Sequence, residues 1–181
     1  DDILNKNKED FNFDGEIKFD SVFFNYPDCK NVLNDINLKI EKNDCIGIIG
    51  KSGIGKSTLL DLITGLIKPN EGTIYLSGIN MQNININSWR EKLGIVMQEN
   101  FFKNDTISSN IALGKKIDEK KIKESLRKAN AWNFVSSLSN GIHEMILDRG
   151  LRLSGGERQR ISLARALYND PQVLILSLIH I

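Results

Sequence analysis

The sequence predicts an α/β domain, and three observations predict it. Wholly apolar segments at 45–49 ("CIGII") and 173–176 ("VLIL") read as strands of the kind buried in a parallel sheet. A glycine-punctuated loop at 50–55 joins the first of them to an apolar-periodic helix. A long, mainly helical stretch lies between the two strands, as expected for a helical subdomain inserted into an α/β core.

Composition sets the outer limits. The chain has 181 residues, 40% of them hydrophobic and 26% charged, which suits one globular domain or most of one. A formal net charge of +1 supplies no basic field for nucleic acid. No apolar run approaches the about 20 residues a membrane-spanning helix requires. The polar start "DDILNKNKED" does not read as a signal peptide. Cys29 and Cys45 lack metal-ligand spacing, and Cys45, at the head of an apolar strand, is expected to be buried.

The elements follow in order. Residues 1–14 are polar and without periodicity, and read as a linker or a frayed start. "EIKFDSVFF" (16–24) partly alternates, with Ile17, Phe19 and Phe23 expected inward, and Pro27 ends the strand. Ile36, Leu38 and Ile40 alternate in a second strand. After the 45–49 strand and its loop, leucines and isoleucines at 59, 60, 62, 63 and 66 mark a helix over 56–66. Pro69 and Gly72 close that unit, and "TIYL" (73–76) returns as a strand. Ser88 and Glu91 have capping-box spacing, so a short helix is expected to begin at Ser88. "GIVM" (94–97) is a further strand. Residues 118–139 are mainly helical, with Ile122, Leu126 and Ala129 on one face and a second short helix near 132–138. A helix over 157–168 carries Ile161, Ala164 and Tyr168 on one side.

Two stretches carry chemistry. "GKSGIGKST" (50–58) fits G-x-x-x-x-G-K-[ST] and lies between strand and helix. Gly50, Gly53 and Gly55 allow a tight turn whose N–H groups converge on an anion, together with those of Lys51 and Ser52. The helix start adds its dipole. Lys56 is placed to reach β- and γ-phosphates, Ser57 to ligate Mg²⁺, and Thr58 to extend the cradle. The second stretch is "LSGGERQR" (153–160), where Ser154, Gly155, Gly156 and Glu157 open a helix. Alone, that could be an ordinary serine cap.

Taken in order along the chain, these motifs resemble the nucleotide-binding domain of ATP-binding cassette (ABC) transporters. "GKSGIGKST" resembles the family's Walker A, Gln98 in "GIVMQEN" its Q-loop glutamine, and "LSGGERQR" its signature motif. Tyr26 in "FFNYP" resembles the aromatic residue that stacks on adenine, against the plainer reading of a core aromatic after a strand. The resemblance implies a P-loop NTPase core with an N-terminal antiparallel β subdomain and an inserted helical signature subdomain at about 99–160, incomplete at its C-terminus.

It further implies ATP and Mg²⁺ as cofactors, with Ser57 and Gln98 at the metal. A second cassette, as in a homodimer, would complete the site in trans with Ser154, Gly155, Gly156 and Glu157. No nucleic-acid partner is implied. "ILDRGLRLSGG", "VFFNYPDCKNVLNDINLKI" and "TISSNIALG" resemble exporter cassettes, and "NSWREKLG" is similar to those of lipid-linked oligosaccharide flippases. In such exporters a membrane domain precedes the cassette on the same polypeptide. The resemblance therefore assigns 1–14 to a linker from that domain, 15–176 to the cassette, and the whole to the cytoplasmic face of a bacterial inner membrane.

The family's strand matching "VLIL" ends in Asp-Glu, the metal ligand and the candidate general base. Ser177 and Leu178 stand at those positions here, so no catalytic carboxylate is intact. "LSLIHI" is what CTG TCT CTT ATA CAC ATC encodes, a library-adapter sequence, so 177–181 is expected to be an artefactual tail and this chain inactive in hydrolysis. His143 and His180 have no catalytic place in this scheme. The alternatives are a cytosolic ABC ATPase acting on a macromolecule, and a nucleotide-binding module without turnover.

Overall fold

The computed structural model describes residues 11–27, 29–97, 101–150 and 152–177. The chain divides into two compact units, one ending at Glu91 and one beginning at Lys92.

The first unit is organised by an antiparallel sheet. Its strands are β1 (Ile17–Tyr26), β2 (Cys29–Ile40), β3 (Glu71–Leu76) and β4 (Ile79–Asn80), in the order β2-β1-β3-β4. Ile17 pairs with Ile40 on one side and Leu76 on the other, so β1 lies between β2 and β3. Pro27, which cannot donate to a ladder, follows the last residue of β1. The alternation expected along β1 holds only at its start. Ile17 and Phe19 are buried, but Ser21 takes a left-handed φ of 48° and the register slips between Phe19 and Val22. This bulge reverses the parity, so Val22 and Phe24 are buried in place of Phe23. Asn37 accepts the Ser21 N–H at 2.9 Å and holds the bulge closed.

Helix α1 (Lys56–Ile63) buries Thr58, Leu62 and Ile63. It is shorter than the apolar spacing suggests. The Gly65 N–H donates to Leu62 O at 3.1 Å and the Leu66 N–H to Asp61 O at 2.9 Å, the paired bonds of a Schellman motif. Leu66 lies beyond that stop and is 61% exposed.

Helix α2 (Ile86–Arg90) starts earlier than expected. Asn85 is its cap, accepting the Asn87 N–H, while Ser88 lies inside the helix and donates to Asn85 O at 2.9 Å. The Ser-x-x-Glu spacing therefore forms no capping box. An asparagine three residues earlier offers the shorter route to an orphan donor. Trp89 is fully buried, with the rings of Phe13 and Phe11 at 4.9 and 6.1 Å. Residues 11–14, assigned above to a linker, thus belong to the packed unit. The Asp14 N–H also donates to Ser77 Oγ at 2.9 Å.

Residues 45–49 are not a strand. No ladder partner faces them among the described residues, and a strand exists only by pairing. Ile46, Ile48 and Ile49 are exposed, Ile49 to 96%, and Cys45 is exposed where burial was expected.

In the second unit, β5 (Leu93–Val96) pairs in parallel with β8 (Val173–Leu176), Leu93 opposite Val173 and Val96 opposite Leu176. The Ser177 N–H continues the ladder to Val96 O at 2.9 Å. Leu174 and Leu176 are exposed, so this strand is less buried than its composition suggests. A short antiparallel pair, β6 (Asp105–Thr106) with β7 (Met145–Ile146), frames the helices α3 (Ile107–Ala112), α4 (Glu119–Lys128), α5 (Trp132–Ser137) and α6 (Gly155–Leu167). Their shared core contains Ile111, Ile122, Leu126, Val135, Ile161 and Ala164. Tyr168 closes one end, donating to Lys116 O at 2.8 Å and accepting the Asp118 N–H at 3.1 Å.

Helix α3 is too short to show a period. What holds it is Asn110, fully buried, which accepts the Lys103 N–H and donates to Lys103 O, Asp105 O and Thr106 O at 3.0–3.3 Å. Arg165 of α6 adds bonds to Asn110 O and Phe101 O, both at 2.8 Å, with its guanidinium 5.0 Å from the Phe102 ring. Asn110→Ala removes this partner from several part-buried backbone groups and is expected to cost about 3 kcal/mol. A urea-unfolding midpoint unchanged from the wild type would contradict this network.

Candidate functional site

The loop 50–55 meets α1 at Gly55, which has φ of 101° and ψ of 9°, a left-handed conformation that favours glycine. A β-carbon there would lie 2.9 Å from Val32 O and 3.0 Å from Leu33 Cδ2. This residue brings the loop hard against β2. Because Gly55 has no side chain, α1 begins without a capping group. Its first-turn N–H groups are left to an external acceptor. Gly50, Lys51, Ser52 and Gly53 are exposed in front of that helix start, and so is Ser57.

Lys56 folds back over the loop, its Nζ donating to Gly50 O and Lys51 O, both at 2.7 Å. The ammonium is thereby held at the loop rather than extended into solvent. The Tyr26 and Thr58 hydroxyls lie 3.4 Å apart, and the Phe24 ring packs edge-on at 4.9 Å. Tyr26 is 41% exposed, so it is not a core aromatic. The structure therefore gathers Tyr26, Gly50, Lys51, Ser52, Gly53, Gly55, Lys56, Ser57 and Thr58 at one end of α1. An uncapped helix start, a cation and an exposed ring suit a nucleoside polyphosphate. For the metal, Ser57 offers one neutral oxygen, and no cluster of histidine, cysteine or acidic residues capable of holding an ion occurs among the described residues. Gln98 and Leu178 lie outside the described residues.

The second unit carries the other glycine-containing helix start. Ser154 caps α6, and with Glu157 it forms a full capping box. Ser154 Oγ accepts the Glu157 N–H at 3.3 Å, while the Ser154 N–H and hydroxyl both donate to Glu157 Oε2 at 2.8 Å. These bonds hold the Glu157 carboxyl below its ordinary value of 4.5, the backbone bond from Ser154 contributing most. Gly155 and Gly156 are exposed, and nothing lies within 4 Å of where a Gly155 side chain would begin. The two helix starts differ. That of α1 has no side-chain cap, whereas α6 has a capping box that serves the Ser154 and Glu157 N–H groups.

Trp89 and Arg90, to which the sequence analysis assigns no site role, close the far end of α1. The Trp89 indole donates to Ile63 O at 2.7 Å, and Arg90 donates to Thr64 O at 3.3 Å and Gly65 O at 2.8 Å. A tryptophan–arginine pair after an asparagine-rich turn was the available signal. His143 is exposed, with its Nε2 3.6 Å from a Glu119 oxygen.

The chain belongs to the ABC transporter family, whose profile matches residues 33–177. It is 41% identical over 184 residues to the heterocyst differentiation ATP-binding protein HepA of Nostoc sp. (strain PCC 7120 / SAG 25.82 / UTEX 2576), an alignment covering 96% of this chain and 30% of that protein. It is 39% identical over 165 residues to the ATP-dependent lipid A-core flippase of Wigglesworthia glossinidia brevipalpis, covering 90% and 28%. Against the toxin RTX-I translocation ATP-binding protein of Actinobacillus pleuropneumoniae the identity is 40%, covering 89% and 23%. The fold matches a bacterial Atm1-family ABC exporter solved with ATP bound, at a TM-score of 0.87 and 32% identity, over 94% of this chain and 30% of that one. The chain thus spans less than a third of these relatives. It is an α/β nucleotide-binding domain of the exporter-like kind, with an antiparallel β subdomain. No helix among the described residues is long and apolar enough to cross a membrane.

The capping box generates a pH prediction. The folded-state carboxyl of Glu157 titrates below its unfolded value, so its contribution is present above about pH 4.5 and is lost as pH falls through the lower folded value. Amide exchange at the α6 start, corrected for intrinsic rates, should accelerate on acidification, and Glu157→Gln should flatten that response. An identical acid response in the variant would assign the protection to another group.

Proposed function

We propose that this chain is the ATP-binding part of an exporter's motor, in which ATP-driven pairing of two cassettes is coupled to translocation. The observation that carries the reading is the uncapped start of α1 with Lys56 folded over its loop. Bound there, ATP supplies a triphosphate whose charge the loop N–H groups, Lys56 and the helix dipole neutralise. Lys56 exchanges its two loop carbonyls for phosphate oxygens. Ser57 presents its hydroxyl to Mg²⁺, with Gln98 as the second protein ligand, and Tyr26 stacks on the base.

Ser154, Gly155, Gly156 and Glu157 of a second cassette close over the terminal phosphate, so that each site is shared between two chains. A homodimer satisfies this arrangement. A membrane domain on the same polypeptide is the partner that converts pairing into transport, and it places the cassette on the cytoplasmic face of the membrane. The flippase and toxin-translocation relatives support this choice over a cytosolic ABC ATPase. Ser177 and Leu178 offer no carboxylate, so this chain binds ATP without turning it over.

Lys56→Ala should weaken MgATP binding, measured by equilibrium dialysis, by about 100-fold, the scale of a lost charge-assisted interaction. Unchanged affinity would defeat the assignment. Tyr26→Ala should weaken ATP several-fold and leave tripolyphosphate binding unaltered, whereas equal losses for both would remove Tyr26 from the base. Steady ATP hydrolysis by the unaltered chain would refute the loss of turnover.

A further inference from the structure

We infer that Trp89 and Arg90 are positioning residues for the phosphate loop, and that they tie nucleotide occupancy to the segment at 11–14. The inference rests on the proposal that Lys56 and Ser57 hold the nucleotide.

A helix ends with carbonyls that it cannot satisfy itself. In α1 every carbonyl of the last turn can be traced. Leu60 O accepts from Thr64 N, Asp61 O from Leu66 N and Leu62 O from Gly65 N, so the chain's own stop serves these three. The next three, on Ile63, Thr64 and Gly65, are taken by the Trp89 indole and the Arg90 guanidinium. The division leaves none over. Two adjacent side chains of α2 therefore grip the whole tail of α1, and the cation lies where the negative end of the helix dipole favours it.

Packing draws the two elements together as well. Gly65 has φ of 66°, and a β-carbon on it would lie 2.2 Å from Ile86 Cδ1, the first side chain of α2. Contact this close leaves little freedom for one helix to shift without the other. The opposite end of α1, about 12 Å away at 1.5 Å per residue, carries Lys56 and Ser57.

The relay continues past α2. Trp89 is fully buried, and the Phe13 ring stands 4.9 Å from it with the planes at 59°. Phe11 lies at 6.1 Å. Both phenylalanines are buried, and Asp14 accepts a 2.7 Å bond from the Ser77 hydroxyl that fixes the end of this segment. Indole serves both contacts at once: its N–H binds the helix end and its rings bind the phenylalanines. A phenylalanine at 89 would keep a ring against the phenylalanines but would leave Ile63 O without its donor and a small cavity behind. The sequence at 11–14 thus adjoins the phosphate loop's own helix through one residue, and a nucleotide that pulls on the loop is felt there.

The chain has two tryptophans, so Trp132→Phe makes Trp89 the sole reporter. In that protein MgATP should change Trp89 emission with the same midpoint as binding measured by equilibrium dialysis. Amide exchange at 11–14 should slow in parallel. Arg90→Leu should weaken MgATP by up to about fivefold, the scale of a helix-end cation, and abolish the emission change. Arg90→Lys should restore part of both. If MgATP binds but Trp89 emission and exchange at 11–14 stay as they were, the relay is refuted and the phosphate cradle stands. If MgATP binding survives Lys56→Ala, the cradle itself is misplaced and the relay falls with it.

Discussion

Backbone groups at the two ends of a helix must be satisfied from outside it. In α1 that requirement is split between destinations. Backbone N–H groups of the helix stop and the Trp89 and Arg90 side chains together close the carbonyl end, while the amide end is left without a cap because Gly55 has no side chain to offer. A helix with one end closed and the other open is directional, and its open end attracts anions. Helix α6 solves the same problem in the opposite way, with Ser154 and Glu157 serving its first donors. The proposed roles follow from this contrast: the open end is the primary seat for a triphosphate, and the self-satisfied end needs a partner's ligand to compete for Ser154.

The local chemistry of the loop was legible in the sequence because it depends on residue type at fixed spacing. Glycine at 55 and lysine at 56 mean the same thing wherever the loop occurs. The helices around Ile122, Leu126, Ile161 and Ala164 were legible because their apolar spacing is long enough to show a period. Three things were not. The reversal of burial in β1 depends on a single left-handed residue, Ser21, that no period announces. The start of α2 was misassigned because Asn85 and Ser88 are both plausible caps, and only the path of the chain decides between them. Helix α3 was missed because its six residues are too few for Ile107 and Ile111 to show a period, and its buried asparagine carries no periodic signal.

The segment at 45–49 is a different case. Its composition is that of a strand, yet a strand is a relation between chains, and composition supplies only one side of it. Exposure of Ile46, Ile48 and Ile49 reflects the lack of a ladder partner among the described residues. The N-terminal phenylalanines show the converse. Phe11 and Phe13 sit in a polar stretch with no period, and their burial involves contacts with each other and with Trp89.

The bulge in β1 reaches further than its own neighbourhood. Side chains at 22, 24 and 26 share one face of the strand, and that face was chosen at Ser21. Val22 and Phe24 use it for packing, and Tyr26 uses it to stand beside Thr58. A chain shortened by this one residue would keep the same letters from 22 onward but turn each of them over, carrying the tyrosine ring away from the loop. The placement of an aromatic beside the phosphate loop is thus inherited from an irregularity five positions upstream, the same one that keeps Val22 and Phe24 in the core.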